Sequence, residues 1–297
     1  MNIRDLIYFS AVARFGHFAK AAAFCHVSQP TLSMQLKKLE EELGVQLIER
    51  GKREARLTAV GKVVLEKSDT LLRLAEEIRQ TAKFAQDPYA GDVRVGIFPT
   101  LGPYLLPHIM PALRKAFPRL KIQLIEEKTD QLIRMMEEGE MDAACLALPV
   151  SRTRLHAIAL FKEPFLLAVS KDHSLAKRSA VNMNDLHHEH ILLLDEGHCL
   201  REQSLEACRR IGVGESDQFR ATSLETLRHM VASGLGVTFM PMLASQQKIS
   251  GIAYVPIQKP VLFREIGLLF KPASPRGVLF KDMAQAIRVA MDGKFLP

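Results

Sequence analysis

Two thiols nine positions apart sit in the stretch Gly197-His198-Cys199-Leu200-Arg201-Glu202-Gln203-Ser204-Leu205-Glu206-Ala207-Cys208. The apolar run Ile191 to Leu194 reads as a strand and Gly197 as a turn. The residues from about Cys199 read as a helix with Leu200, Ala207, Cys208 and Ile211 near one apolar face. Cys199 then lies at a helix N-terminus beside His198 and Arg201. Unpaired N–H groups, the helix dipole and nearby positive charge favour a thiolate, the form that attacks a peroxide O–O bond. Cys208, on the apolar face, reads as a quiet thiol. Along an intact helix nine residues amount to about 13.5 Å of rise, whereas disulfide Cα atoms lie within about 7 Å. A bond between the two would therefore unwind the helix, which for two or three turns costs a few kcal/mol. Three readings of the pair stay open on residues alone: a redox couple, two unrelated buried thiols, or part of a metal site with His187, His188, His190 and His198. The HHEH run lacks regular ligand spacing with the cysteines and reads as a solvated loop, so no metal and no cofactor is expected.

The elements around this stretch divide the chain. From Asn2 to Gln86 there is one proline, Pro30, and the apolar spacing is mostly helical. From Tyr89 onward prolines become frequent, and short β-type runs (Val93 to Phe98, Lys121 to Ile125, Ala143 to Leu148) alternate with helical stretches, with a turn-rich break over residues 86–91. In the first part, Arg4 to Arg14 reads as a helix ended by Gly16, and Phe18 to Cys25 as a second, Ala-rich helix. Ser28 has N-cap chemistry, Pro30 falls in the first turn, and the third helix runs from Gln29 to about Leu43 before Gly44. This is a helix-turn-helix pattern. The start of its second helix offers Gln29, Thr31, Ser33 and Gln35 for base edges and Lys37 and Lys38 for phosphates, with Pro30 counted among the DNA-facing residues of the same turn. Arg50, Lys52, Arg53 and Arg56 around Gly51 suit a basic β-wing. After Thr58, the positions Val60, Val64, Lys67, Leu71, Leu74, Ile78, Thr81 and Ala85 make a heptad seam interrupted at Lys67, as a dimerisation helix would. Paired heads could read two half-sites. Further on, Thr222 and Glu225 have capping-box spacing, and Gly234 and Gly236 end the following helix before an apolar strand, Val237 to Met240.

Composition bounds the partners. Hydrophobic residues make up 47% and charged residues 25%, values of a folding globular chain of two or three domains. The net charge of +7 favours a polyanion, yet residues 1–58 hold nine Lys and Arg against six Asp and Glu, so specific contacts matter beyond bulk attraction. There is no apolar run near the roughly 18 residues of a membrane span and no signal-like start, so no membrane is expected and a cytoplasmic location is. There the four cysteines are expected to be reduced.

The run AAAFCHVSQPTLSMQLKKLEEELGVQLIER resembles the winged helix-turn-helix of LysR-type transcriptional regulators. FPRLKIQLIEEKTDQLIRMMEEGEMDAA and TSLETLRHMVASGLGVTFMP resemble the effector domain of that family. The resemblance implies an α/β fold: a winged helix-turn-helix over residues 1–58, a linker helix and hinge over 59–90, and a redox-sensing effector domain over 91–297. The effector domain would be built of two α/β subdomains similar to type 2 periplasmic binding proteins. GHCLREQ with a cysteine nine positions after the first, IFPTLGPYLLPHIMP and RATSLETLRHMVASG are similar to the hydrogen-peroxide-sensing members. That similarity implies Cys199 as the peroxidatic thiol, Cys208 as the resolving thiol in a reversible disulfide, and Thr100, Thr129, His198 and Arg264 around the peroxide. Arg264 is expected before a strand Ile266 to Phe270, and Cys25 and Cys145 are read as structural. Double-stranded promoter DNA, hydrogen peroxide, RNA polymerase, a cellular thiol reductant and a homodimer or homotetramer are the implied partners. The implied role is a regulator of oxidative-stress defence genes, an activator and not an enzyme. Two alternatives remain: a LysR-type regulator responding to a small organic metabolite in the inter-subdomain crevice, and a thiol peroxidase, against which the helix-turn-helix head argues.

Overall fold

The computed structural model describes residues 1–49, 55–150, 153–210, 220–259 and 261–295. The chain divides into two compact units, Met1–Gln86 and Asp87–Pro297. The division falls inside the 86–91 break.

The first unit contains α1 (Ile3–Phe15), α2 (Phe18–Phe24), α3 (Gln29–Leu43), a two-stranded antiparallel sheet of β1 (Ile48–Glu49) and β2 (Arg56–Leu57), and α4 (Ala59–Gln86). Helix α1 starts in a capping box between Asn2 and Asp5 and stops at Gly16, whose φ of 61° is left-handed. Ser28 caps α3 through the Thr31 amide, and Pro30 occupies its first turn. Leu6, Phe9 and Val12 of α1 meet Leu32, Leu36 and Leu39 of α3 in a small core, each worth about 1.5–3 kcal/mol when fully buried. Buried Glu40 accepts from the amides of Leu47 (2.8 Å) and Ile48 (3.1 Å), which ties the start of the hairpin to α3. Thr58 supplies its hydroxyl to the Gly61 amide at the start of α4. The heptad seam divides in two. Val64 packs on the head's own core with Leu65 and Leu72, while Leu71, Leu74 and Ile78 stay exposed at 47%, 48% and 72%.

The second unit is built on β3 (Gly91–Ile97), β4 (Leu120–Glu126), β5 (Ala143–Leu148), β6 (His156–Ser170), β7 (Leu193–Leu194), β8 (Arg220–Ala221), β9 (Thr238–Pro241), β10 (Ile252–Pro256) and β11 (Phe263–Phe270). Among the described residues, seven of these strands form one continuous sheet in the order β10-β6-β11-β5-β3-β4, with β9 also on β6. Strand β3 runs parallel to β4 and β5, and β11 pairs antiparallel with β5 and β6. The 15-residue β6 changes partners at Pro164. Its first half faces β11, and its second half lies between β9 and β10. One strand thus joins the two halves of the sheet.

Helices α5 (Gly102–Ala116), α6 (Thr129–Glu137), α7 (Cys199–Arg210), α8 (Leu224–Ala232), the short α9 (Met242–Ser245) and α10 (Gly277–Met291) cover the sheet. Helix α10 buries Leu279, Phe280, Met283, Ala284, Ile287 and Met291, a 3–4 spacing that keeps one face apolar. The N-cap of α8 is Ser223, whose hydroxyl accepts from Thr226 N at 3.2 Å, and not Thr222. The expected Thr222–Glu225 capping box is therefore absent, because Ser223 has the same chemistry one position later. Glu225 is instead held by Tyr104 Oη (2.6 Å) from α5 and by Arg228 (2.8 Å). Val237 makes a single bridge to Ile191, and the following strand begins at Thr238.

Candidate functional site

Helix α7 carries both thiols of the pair, unbonded, and holds its helical form from Cys199 to Arg210. Leu193 and Leu194 of β7, parallel to β8, lead into it through Gly197, where a φ of 86° makes the turn. Leu200, Ser204, Ala207 and Cys208 lie on its buried face. The Ile211 position lies outside the described residues.

Half-buried Cys199 meets four sources of stabilisation for a negative charge. These are the Thr100 hydroxyl, the backbone amides of Leu200 and of Cys199 itself, and the Arg264 guanidinium. Thr100 sits in the loop after β3. Its Oγ1 accepts from Arg264 Nη1 at 3.1 Å, which leaves the hydroxyl proton for the sulfur. Arg264 also donates to the Thr100 carbonyl (3.0 Å) and to Glu163 Oε2 (2.7 Å), and its guanidinium lies 5.3 Å from the centre of the Phe98 ring. Contrary to the sequence expectation, the thiol is pushed up from its ordinary range. Burial dominates over Arg264, Thr100 and the amides, because desolvating a charge costs more than these partners return in the resting state. The expected neighbour charge is also reassigned. Arg201 is buried and donates to the Leu194 carbonyl at 3.0 Å, holding the strand to the helix, and the cation acting on the thiol is Arg264. Arg264 lies inside β11, not before a strand, so sheet geometry fixes it.

His198 is buried, with Nε2 2.9 Å from Asp195 Oδ1. Both atoms nevertheless lack an aligned hydrogen-bond partner, so this is proximity more than a formed bond. Burial depresses the His198 pKa against the opposing pull of Asp195, which favours the neutral ring. Thr129, the first residue of α6, has a buried Oγ1 with no partner. The preceding Lys128 reaches the Cys199 turn, donating to the Glu196 carbonyl (2.7 Å) and pairing with Asp195 (3.3 Å). Buried polar atoms without partners are scarce in folded proteins and fit a place where a polar ligand docks. Cys208, at the other end of α7, is buried among apolar side chains, and burial raises its thiol pKa to about 11. Cys145 in β5 is likewise pushed up to about 12, and Cys25 is half-buried at the end of α2. His187, His188 and His190 are exposed.

On the first unit, Gln29, Pro30, Thr31, Ser33, Lys37 and Lys38 are exposed together along α3, and Gln35 is half-buried. Thr31 shares a hydrogen bond with Ser28 (2.7 Å), and Lys37 pairs with Glu41 (3.4 Å). Arg50, Lys52 and Arg53 lie outside the described residues. Two side chains escaped the sequence reading. Met34 is 62% exposed within the polar face, where an apolar contact to a base methyl is possible chemistry. Glu163 lies fully buried behind Arg264, and its signal in the sequence is a carboxylate at the Lys162-Glu163-Pro164 break in the apolar run of β6.

The family description "Bacterial regulatory helix-turn-helix protein, lysR family" matches residues 3–62, and "LysR substrate binding domain" matches residues 86–292. The chain belongs to the LysR family of regulators, in its OxyR group. It is 45% identical over 297 residues to the "DNA-binding transcriptional dual regulator OxyR" of Escherichia coli, covering 99% of this chain and 97% of that one. A full-length OxyR variant from Pseudomonas aeruginosa is 38% identical with a TM-score of 0.72, over 97% of this chain and 98% of that one. An OxyR mutant of Corynebacterium glutamicum, described as bound to H2O2, is 33% identical with a TM-score of 0.68, over 98% and 92% of the two chains. The winged helix-turn-helix joined to a mixed α/β substrate-binding domain is the architecture of this LysR-family chain. Among the described residues no helix is long and apolar enough to cross a membrane.

Proposed function

We propose that the chain is a DNA-binding transcription regulator that senses hydrogen peroxide through Cys199 and controls peroxide-defence genes from the cytoplasm. One observation carries the reading. A half-buried thiol stands among hydrogen-bond donors and a fixed guanidinium, with the partnerless Thr129 hydroxyl and the buried His198 ring on the segments flanking it, while a second free thiol lies at the far end of the same helix.

Cys199 sulfur attacks one peroxide oxygen, the O–O bond breaks, and the departing oxygen leaves as water with the thiol's proton. Cys199 is left as a sulfenic acid. Thr100, the amides and Arg264 stabilise charge as it forms at sulfur, even though burial disfavours it at rest. Thr129 and His198 orient the peroxide. The Cys208 sulfur then attacks the sulfenic sulfur, the S–O bond breaks, a second water leaves, and the disulfide forms. Since about 13.5 Å of helical rise separates the two positions, α7 must unwind. A cellular dithiol would reverse the step. The exposed Leu71, Leu74 and Ile78 of α4 support pairing of heads, a homotetramer is the assembly expected, and RNA polymerase is the partner at the promoter. On the DNA, Gln29, Thr31 and Ser33 address bases, with Pro30 in the same DNA-facing turn. Lys37, Arg50, Lys52 and Arg53 address phosphates.

Treating the reduced full chain with one equivalent of peroxide, then mapping disulfides by mass spectrometry beside a DNA footprint, tests this. A Cys199–Cys208 link with a shifted footprint is expected. No link and an unchanged footprint would overturn the reading, and a full response by Cys199→Ser would favour a small organic effector.

A further inference from the structure

We propose that Glu163 is a positioning residue for the peroxide-reactive thiol, acting through Arg264 and Thr100. The inference rests on the assignment of Cys199 above. Glu163 and Arg264 are directly opposite in the β6–β11 register, one pair before the Pro164–Phe263 pair at which β6 leaves β11 for β9 and β10. Both side chains are fully buried, at 0% exposure. Each Glu163 oxygen has one donor: Oε2 takes Arg264 Nε at 2.7 Å, and Oε1 takes the Leu243 amide at 2.9 Å from α9. The carboxylate is therefore anchored from both sides of the sheet crossing. With Nε committed to Glu163, the other two guanidinium nitrogens reach the Thr100 hydroxyl and carbonyl, and Phe98 lies against the group. Thr100, accepting from Arg264, is left with its proton aimed at the Cys199 sulfur. The chain of contacts runs carboxylate, guanidinium, hydroxyl, thiol.

A buried ion pair is not needed to hold a sheet together, since apolar residues of similar volume commonly serve as well. What the pair adds here is orientation and charge control. The carboxylate fixes the rotation of the guanidinium and offsets part of the positive potential that Arg264 exerts on the sulfur. Among the described residues, the other polar groups around Cys199 include the two α7 amides, His198 with Asp195 before the helix, Lys128 paired with Asp195, Thr129 at the start of α6, and Arg201 within α7, the last turned to the Leu194 carbonyl.

Glu163→Gln keeps an acceptor for Arg264 Nε and removes the charge. Glu163→Asp keeps the charge and withdraws it by one methylene. Both are made in the full chain carrying Cys208→Ser, so that Cys199 is read alone. The readouts are iodoacetamide alkylation of Cys199 across pH and the rate of sulfenic-acid formation with hydrogen peroxide. For Glu163→Gln the alkylation profile should move to lower pH. A shift of one unit gives about tenfold more thiolate below the midpoint, offset to roughly threefold faster alkylation because a less basic thiolate is a poorer nucleophile. For Glu163→Asp the profile should keep its midpoint while peroxide oxidation slows by about tenfold, as a misplaced guanidinium would cause. Wild-type profile and wild-type peroxide rate in both folded variants would overturn the proposal. Should neither fold, the paired change Glu163→Met with Arg264→Met replaces both charges by apolar bulk, and a wild-type peroxide rate in it would overturn the proposal equally. If Cys199 in the parent is itself not oxidised by peroxide, the sensor assignment fails instead, which separates the two outcomes.

Discussion

The two ends of α7 carry the same functional group in opposite settings. At Cys199 the thiol stands among hydrogen-bond donors and in the field of a guanidinium, and the Thr129 hydroxyl on the neighbouring helix lacks a partner. At Cys208 the thiol packs into the apolar core of the described residues. Burial raises the pKa at both ends, but only at Cys199 do neighbours oppose it. Reactivity therefore follows from what can receive charge when it forms, more than from burial alone. The polar end is arranged for an event and the apolar end for its reversal, because Cys208 must leave a packed position to reach the other thiol.

The largest effect should come from removing the charge that organises the polar end. Arg264→Met strands Glu163 as a buried carboxylate, and breaking such a pair by deleting one partner typically costs about 3–5 kcal/mol. Urea denaturation of the effector unit should show a loss of that size, with peroxide oxidation of Cys199 nearly abolished. A loss under about 1 kcal/mol would show that the network is solvated and would dissolve the contrast between the ends.

Serine substitution sharpens the comparison directly. At Cys208 a hydroxyl would enter an apolar site without a partner, at a cost of about 1–3 kcal/mol. At Cys199 the same change places a hydroxyl among existing donors, and the cost should stay within about 0.5 kcal/mol. Equal losses in thermal or urea melts would refute the asymmetry.

Alkaline titration reads the same contrast through the protons. Both folded pKa values lie above the ordinary cysteine value of 9.0, so each thiol keeps in the folded state a proton that the unfolded chain releases. The associated stability is fully present below pH 9 and is lost as pH rises through the folded values, for Cys208 toward about 11. Alkylation followed by mass spectrometry should leave Cys208 protected in the folded protein until near pH 11. Full labelling of Cys208 in the folded protein at pH 9 would contradict the arrangement.

Much of this was legible along the chain, for physical reasons that differ by region. The head's helices announce themselves through local chemistry: Ser28, Pro30 and Gly44 bound α3 where the residue types require. The apolar face of α7 follows from 3.6-residue spacing, and the Cys199 position at its start from Gly197. What escaped was long-range. From the residues alone, Arg201 beside Cys199 reads as the thiol's cation; Arg264 enters only through the family resemblance, and it is the cation acting on the thiol, brought from 65 positions away by the β6–β11 pairing. Glu163 has no local signature that separates it from the neighbouring Lys162, and only the fold shows which of the two is buried. The rise in the Cys199 pKa was also invisible, since a sequence shows the donors at a helix start and not the depth at which they act.

The smallest effect on stability is expected where the polar end spends the most on function. Thr129 Oγ1 is buried without a partner, so its hydroxyl contributes desolvation cost and no hydrogen bond. Thr129→Val keeps the shape and removes that atom. Stability should be unchanged or rise by up to about 1 kcal/mol, while peroxide oxidation of Cys199 slows severalfold because one orienting group is gone. The combination separates this site from ordinary packing, where an isosteric apolar change that raises stability leaves chemistry untouched. A stabilised variant with wild-type oxidation kinetics would return Thr129 to the status of an ordinary helix-start residue. A destabilised variant would mean that a bound water already satisfies the hydroxyl, and that the polar end of α7 is wetter and less poised than its opposite.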